Sequence, residues 1–127
     1  MPAPADLKYL KSHEWHAVDG NTVTLGISRF AVDELTDVTF IALPKVGSSV
    51  AAGQSIGEVE SVKATSDIYT GVSGKVLAVN DAVVKNPALL NSDPYGSAWL
   101  IKIEASNPAE LATLIDGASY QKQYPSA

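Results

Sequence analysis

Cysteine is absent from the 127-residue chain. Without a thiol there is no disulfide framework, no thiolate metal site and no cysteine nucleophile, so any sulfur chemistry has to come from a cofactor. Basic residues are sparse: nine Lys and Arg stand against fourteen Asp and Glu, a net charge of −5. Binding a phosphate backbone calls for a basic face, so no nucleic-acid partner is expected. Long apolar runs are missing as well. Gly, Ser, Asp or Lys breaks each one well short of the roughly 18 residues that a membrane span needs, and no membrane role is expected. The start, Met1-Pro2-Ala3-Pro4-Ala5-Asp6, shows neither the basic-then-apolar run of a secretory signal nor the Arg/Ser-rich look of a transit peptide. The cytoplasm is the expected location, or an organelle matrix where a presequence has been removed.

Two catalytic signatures are also lacking. There is no Gly-x-Ser-x-Gly elbow for a hydrolase serine and no glycine-rich loop ending in Gly-Lys-Ser/Thr for a nucleotide phosphate. A chain this short, filled by its own core, has little room for an enzyme pocket.

What is present suits one compact domain over 1–127, with 46% hydrophobic and 18% charged residues. Its core is expected over about 7–117, followed by a tail at 118–127. The runs around Asp19-Gly20-Asn21 read as a β-hairpin, because these residue types tolerate the backbone of tight turns. Ser28 is placed to cap a short helix beginning at Arg29. Val38 to Leu43 reads as a strand closed by Pro44. Closely spaced Gly47, Gly53, Gly57, Gly71 and Gly74 then point to a small β sandwich or barrel.

A faint repeat lays Val46 to Ile56 on Val79 to Leu89, with Gly47 meeting Asn80 and Gly53 meeting Asn86. It suggests two similar halves related by approximate two-fold symmetry, chance similarity of short β segments being the alternative. Near the end, Asn107-Pro108-Ala109-Glu110 has the pattern of a helix start, with Leu111, Leu114 and Ile115 on one face and Gly117 as the stop. Tyr120 to Tyr124 is expected to add a further turn, and Pro125-Ser126-Ala127 to fray.

Between the half-repeats, Gly57 to Thr70 reads as strand, tight turn and strand with Lys63 at the turn. A lysine there projects into solvent, where a modifying enzyme can reach its amine and its four-carbon stem can extend a long arm from a rigid base. Acylation would remove its charge. By spacing alone, an ordinary surface lysine at a hairpin tip is the commoner occurrence.

The run Glu60-Ser61-Val62-Lys63-Ala64, followed by Ser66-Asp67 and Gly74, resembles the lipoylation segment of glycine cleavage system H proteins. The resemblance extends over His13-Glu14-Trp15, Ile56-Gly57-Glu58-Val59, Asn86-Pro87, Asp93-Pro94-Tyr95-Gly96, Trp99 to Ile103 and Asn107 to Leu111, which is nearly the whole chain. Thr36 stands where a glycine is common, Ala42 and Lys45 where acids are common, and Gly71 where proline is common.

The resemblance implies a mainly β fold, a lipoyl/biotinyl-type barrel-sandwich hybrid with two quasi-symmetric halves and short helices, one of them C-terminal. It implies lipoate on Lys63 and a cleft lined by Glu14, Ser66 and Asp67 that shelters the loaded arm, with no catalytic residue and no metal. It also implies a monomeric carrier that takes the aminomethyl group of glycine from the pyridoxal-phosphate-dependent glycine decarboxylase to the tetrahydrofolate-dependent aminomethyltransferase. FAD-dependent dihydrolipoyl dehydrogenase would then reoxidise it, and lipoylating enzymes would load it in a bacterial cytoplasm or, with a presequence removed, a mitochondrial matrix. A lipoate relay that donates its group to other complexes is the alternative function.

His13, Glu14 and His16 also raise the question of a metal. If the segment is a strand, His13 and Glu14 point to opposite faces, and no further histidine is available. Trp15 and Trp99 are expected as core or cleft-wall residues.

Overall fold

A computed structural model describes residues 6–124. Its frame is two antiparallel sheets. The larger contains β1 (Lys8–Tyr9), β2 (Glu14–Asp19), β3 (Thr22–Ile27), β5 (Ser49–Val50), β8 (Gly74–Val79), β9 (Ile101–Ala105) and β10 (Ile115–Asp116), in the order β10-β1-β2-β3-β9-β8-β5. The smaller joins β4 (Val38–Ala42), β6 (Ser55–Ser61) and β7 (Thr65–Tyr69) in the order β4-β6-β7. Val23, Leu25, Ile101 and Ile103 from the first sheet pack with Ile41, Val59 and Ile68 from the second in one buried cluster. Burying such side chains stabilises the body by about 1.5–3 kcal/mol each.

The expected hairpin forms. Asp19 pairs with Thr22, leaving Gly20 and Asn21 as the loop, and Gly20 takes φ 62°. Four rows along the same pair, Trp15 lies opposite Gly26, where a Cβ would come within 2.3 Å of the indole. Glycine thus lets Trp15 fold down onto the sheet and donate from Nε1 to the Pro94 carbonyl at 2.9 Å.

Helix α1 (Arg29–Leu35) begins at Ser28 as expected, the serine Oγ accepting the Ala31 N–H. Two further helices, α2 (Asp81–Lys85) and α3 (Ala88–Ser92), occupy the second proposed half-repeat. The match between the two segments therefore does not extend to backbone conformation. Gly47 and Gly53 adopt φ 91° and 87°, whereas Asn80 and Asn86 have φ −91° and −135°. Asn80 uses its side chain to cap α2 through the Ala82 N–H and to bond the carbonyls of Ser97 and Trp99, so a helix starts where a strand would continue.

The C-terminal helix lies later than expected. Pro108–Thr113 is a 3-10 helix, and Asn107 makes no side-chain cap. Ile115 then pairs with Tyr9 in β10, and Gly117 opens α4 (Gly117–Gln123) instead of ending a helix. Asp116 decides this by accepting the Ser119 N–H at 2.8 Å as an N-cap. The packed body extends past the expected boundary at 117. Tyr120 is fully buried in a second cluster with Tyr9 and Trp15. The expected fraying at Pro125-Ser126-Ala127 lies outside the described residues.

Candidate functional site

Lys63 sits at the exposed tip between β6 and β7, with Val62 and Ala64 completing the turn. Ser61 builds that turn. Its Oγ accepts the N–H groups of Lys63 and Ala64 at 3.1 and 3.0 Å and donates to the Ala64 carbonyl at 3.2 Å. The Val62 N–H donates to the Asp37 carbonyl, tying the tip to the segment after α1. The tip backbone is held at several points while the lysine side chain stays in solvent. Its Nζ donates to the Glu34 carbonyl at 3.4 Å, at the C-terminal end of α1, where the helix dipole favours a cation.

Beneath the tip lies a cleft of about 160 Å³. The three candidate shelter residues, Glu14, Ser66 and Asp67, all line it. Glu14 enters from the start of β2, Ser66 and Asp67 from β7, one strand beyond the lysine turn.

Glu14 is the most unusual of the three, with 2% of its surface exposed. Burial pushes its carboxyl up to about 7, while a hydrogen bond from Ser12 Oγ and one from the Tyr69 N–H at 2.8 Å pull the other way. Asp67, on the rim, accepts from the Tyr69 hydroxyl at 3.3 Å. A cleft carrying a buried carboxyl and a rim carboxylate suits a small cationic ligand group.

His13 and Glu14 do not face opposite sides of a strand. His13 stands just before β2 with φ 83°, and both residues line the cleft. His16 turns away into the core, where its Nε2 accepts the Gly71 N–H at 3.0 Å. The two imidazoles therefore do not converge, and among the described residues no group of three His, Asp or Glu side chains is arranged to hold a metal. Trp15 is buried, and Trp99 is half-buried beneath the Lys102 ammonium at 5.0 Å.

Ser12 and Glu34 belong to the site but were not singled out by sequence reasoning. Ser12 precedes Glu14 by two residues, an available local signal. Nothing local placed Glu34 under a turn 29 residues further along.

The glycine cleavage H-protein family model matches residues 7–126. The chain belongs to that family. It is 54% identical to the glycine cleavage system H protein of Carboxydothermus hydrogenoformans over 119 residues, 94% of this chain and 92% of that protein. It is 52% identical to the mitochondrial glycine cleavage system H protein 2 of Arabidopsis thaliana over 117 residues, 92% of this chain and 75% of that protein. A crystal structure of a glycine cleavage system H protein from Mycobacterium marinum superposes with a TM-score of 0.86 at 39% identity, covering 94% of this chain and 97% of the other. The two-sheet sandwich with short helices, the C-terminal one included, is thus the lipoyl/biotinyl-type fold. Membership makes the chain a lipoyl carrier of the glycine cleavage system.

Three of the four departures from the family pattern, at Thr36, Ala42 and Gly71, have structural correlates. Thr36 caps α1 with φ 63° and ψ −137°, a conformation that favours glycine. Ala42 lies directly across from Glu58, so a carboxylate remains beside the position that lacks one. Gly71 supplies an N–H to His16, which proline has no means of doing.

Proposed function

We propose that Lys63 carries the lipoyl group and that the cleft of Glu14, Ser66 and Asp67 shelters the arm's loaded end between partners. The observation that carries this reading is the convergence of all three residues on one cleft immediately below an exposed lysine in a backbone-locked turn.

The chain's own residues account for holding and protecting, with no catalytic group required. Lys63 Nζ is free to form the amide, since its bond to the Glu34 carbonyl is exposed and contributes little. Ser61 keeps the turn rigid, so the arm swings from a fixed base. Bound lipoate supplies a dithiolane that takes up the aminomethyl group of glycine and returns electrons as a dithiol. Glu14 and Asp67 attract the cationic amine of the cargo, and Ser66 offers a hydroxyl at the same wall. The cleft walls screen the carbon–sulfur bond from bulk water on the sides they cover.

The carrier serves, in turn, the pyridoxal-phosphate glycine decarboxylase, the tetrahydrofolate-dependent aminomethyltransferase and the FAD-dependent dihydrolipoyl dehydrogenase, after loading by a lipoylating enzyme. Tethering raises the local concentration of the arm at each partner to roughly millimolar.

Intact mass after incubation with lipoate and a lipoate ligase tests the attachment: one lipoyl increment is expected, and none in Lys63→Arg. An increment retained in Lys63→Arg would overturn it. Turnover with purified glycine decarboxylase and aminomethyltransferase then separates the glycine carrier from a relay that only hands lipoate on.

A further inference from the structure

Beside the β7 wall of Ser66 and Asp67, the cleft has two further walls from separate parts of the chain. One is the loop Ser12 to Glu14; the other is α1, through Ala31, Glu34 and Leu35. A single atom behind them bonds to both. Tyr120 Oη lies 2.7 Å from Nδ1 of His13 and 2.6 Å from Oγ of Ser28. His13 belongs to the first wall, and Ser28 caps the helix that forms the second, its Oγ accepting the Ala31 N–H.

The phenol is well fixed. Tyr120 is fully buried, and its ring stacks on Tyr9 with centroids 4.1 Å apart and planes 7° from parallel. Burial also pushes its hydroxyl pKa upward, so the group stays neutral and able to donate. One polarity satisfies every partner: Ser28 donates to Tyr120, and Tyr120 donates to an unprotonated His13 Nδ1. His13 holds φ 83°, a costly backbone for histidine that persists only where surroundings over-determine it. Phe30 at 4.9 Å and Tyr124 at 4.8 Å, ring to ring, complete the box around its imidazole.

We propose that Tyr120 is a positioning residue for the sheltered arm: its hydroxyl sets the separation of the two cleft walls from behind, so the C-terminal helix governs how closely the cleft fits the cargo. The inference rests on the carrier reading above and adds a residue far from the tip in sequence. Tyr120 touches neither arm nor cargo. It acts through His13 and Ser28.

Tyr120→Phe removes one hydroxyl and keeps the stacked ring. Two readouts are needed. In the unmodified protein, the imidazole nitrogen NMR signals of His13 are expected to report one tautomer, protonated at Nε2, which becomes a mixture in the variant. In the lipoylated, aminomethyl-loaded protein, cargo is lost to water. Both bonds to the methylene carbon break with their electron pairs going to sulfur and nitrogen. Water's oxygen becomes the carbonyl oxygen of formaldehyde, and its two protons complete the thiol and the ammonium ion. Formaldehyde release without aminomethyltransferase is expected to be roughly fivefold faster in Tyr120→Phe, the equivalent of one hydrogen bond.

Val83→Ala, a buried change in α2, controls for general loosening; with comparable loss of stability it should release at the wild-type rate. An unchanged rate in Tyr120→Phe, equal acceleration in Val83→Ala, or wild-type release as fast as from free lipoamide bearing the same cargo would each overturn the proposal. Failure of the carrier reading shows separately, as no lipoyl mass increment on the wild-type chain.

Discussion

The backbone N–H of Gly71 donates to Nε2 of His16 across 3.0 Å, and the imidazole at the receiving end is fully buried. Proline at 71 would remove that donor, and a Cβ there would come within 2.6 Å of Leu114 Cδ2 and 3.0 Å of His16 Nε2. Gly71→Pro is expected to lower stability by about 2–4 kcal/mol, combining a lost buried hydrogen bond with overpacking. His16→Leu should soften that loss by removing the group left without a donor. Urea denaturation of the two single variants and the double checks the coupling; an equal effect of Gly71→Pro in both backgrounds refutes it.

His16 and Glu14 oppose one another in acid. Burial holds His16 down at about 4, below its ordinary 6.5, so between those values the unfolded chain binds a proton that the folded one does not, and stability falls as pH falls. Burial holds Glu14 up at about 7, above its ordinary 4.5, so the folded chain binds the extra proton there, and stability falls as pH rises. Each amounts to about 3 kcal/mol across its window. From pH 4.5 to 6.5 their slopes cancel. His13, also lowered by burial, adds to the His16 side. The wild-type protein should therefore lose only a little stability on acidification over this range, the residual slope coming from His13. Glu14→Gln should lose stability on acidification, and His16→Leu should gain it. Thermal unfolding at stepped pH measures all three, and parallel profiles would contradict the assignment.

What could be read from the sequence was local. The Gly20-Asn21 loop, the Ser28 cap and the exposed Lys63 turn each depend on a few neighbouring residues whose backbone preferences agree with the fold. Expectation and structure part where a local signal has two uses. Gly117 is a credible helix stop, but Asp116 just before it makes a better N-cap, and pairing of Ile115 with Tyr9 settles the competition from 106 residues away. Asn80 and Pro87 bracket α2 in the sequence, a start and stop signal overshadowed by the apparent repeat. For the site, Glu14, Ser66 and Asp67 came from family resemblance, and only the fold shows that they share a cleft. The Tyr120–His13 contact, 107 residues apart, has no local signature at all.

Thr36 holds a backbone conformation suited to glycine, at φ 63°, with its N–H bonded to the Val32 carbonyl and its own carbonyl accepting from Asn91 Nδ2 at 2.6 Å. These bonds fix the backbone whatever the side chain. Thr36→Gly should relieve strain of about 1–3 kcal/mol, offset by about 1 kcal/mol for the greater freedom of glycine in the unfolded chain. A net gain of about 1 kcal/mol is expected, read as a rise of a few degrees in Tm. A fall in Tm would mean that the Thr36 hydroxyl, which donates to the Leu35 carbonyl, contributes more than the strain removes.

Ser61 offers a test of whether the tip must be rigid to be recognised. Its Oγ serves three backbone groups of Ser61-Val62-Lys63-Ala64, and Ser61→Ala leaves the Lys63 and Ala64 N–H groups to water. Because the turn is exposed, global stability should fall by less than about 1 kcal/mol. A lipoate ligase, however, must bind the lysine in one geometry, and ordering a loosened turn at that moment lowers its rate. Ser61→Ala is expected to be lipoylated several-fold more slowly than wild type at limiting ligase, with the same final mass increment. Timed intact-mass measurements separate rate from extent. Equal rates would show that the ligase remodels the turn itself, and that the Ser61 bonds hold the arm's base only after attachment.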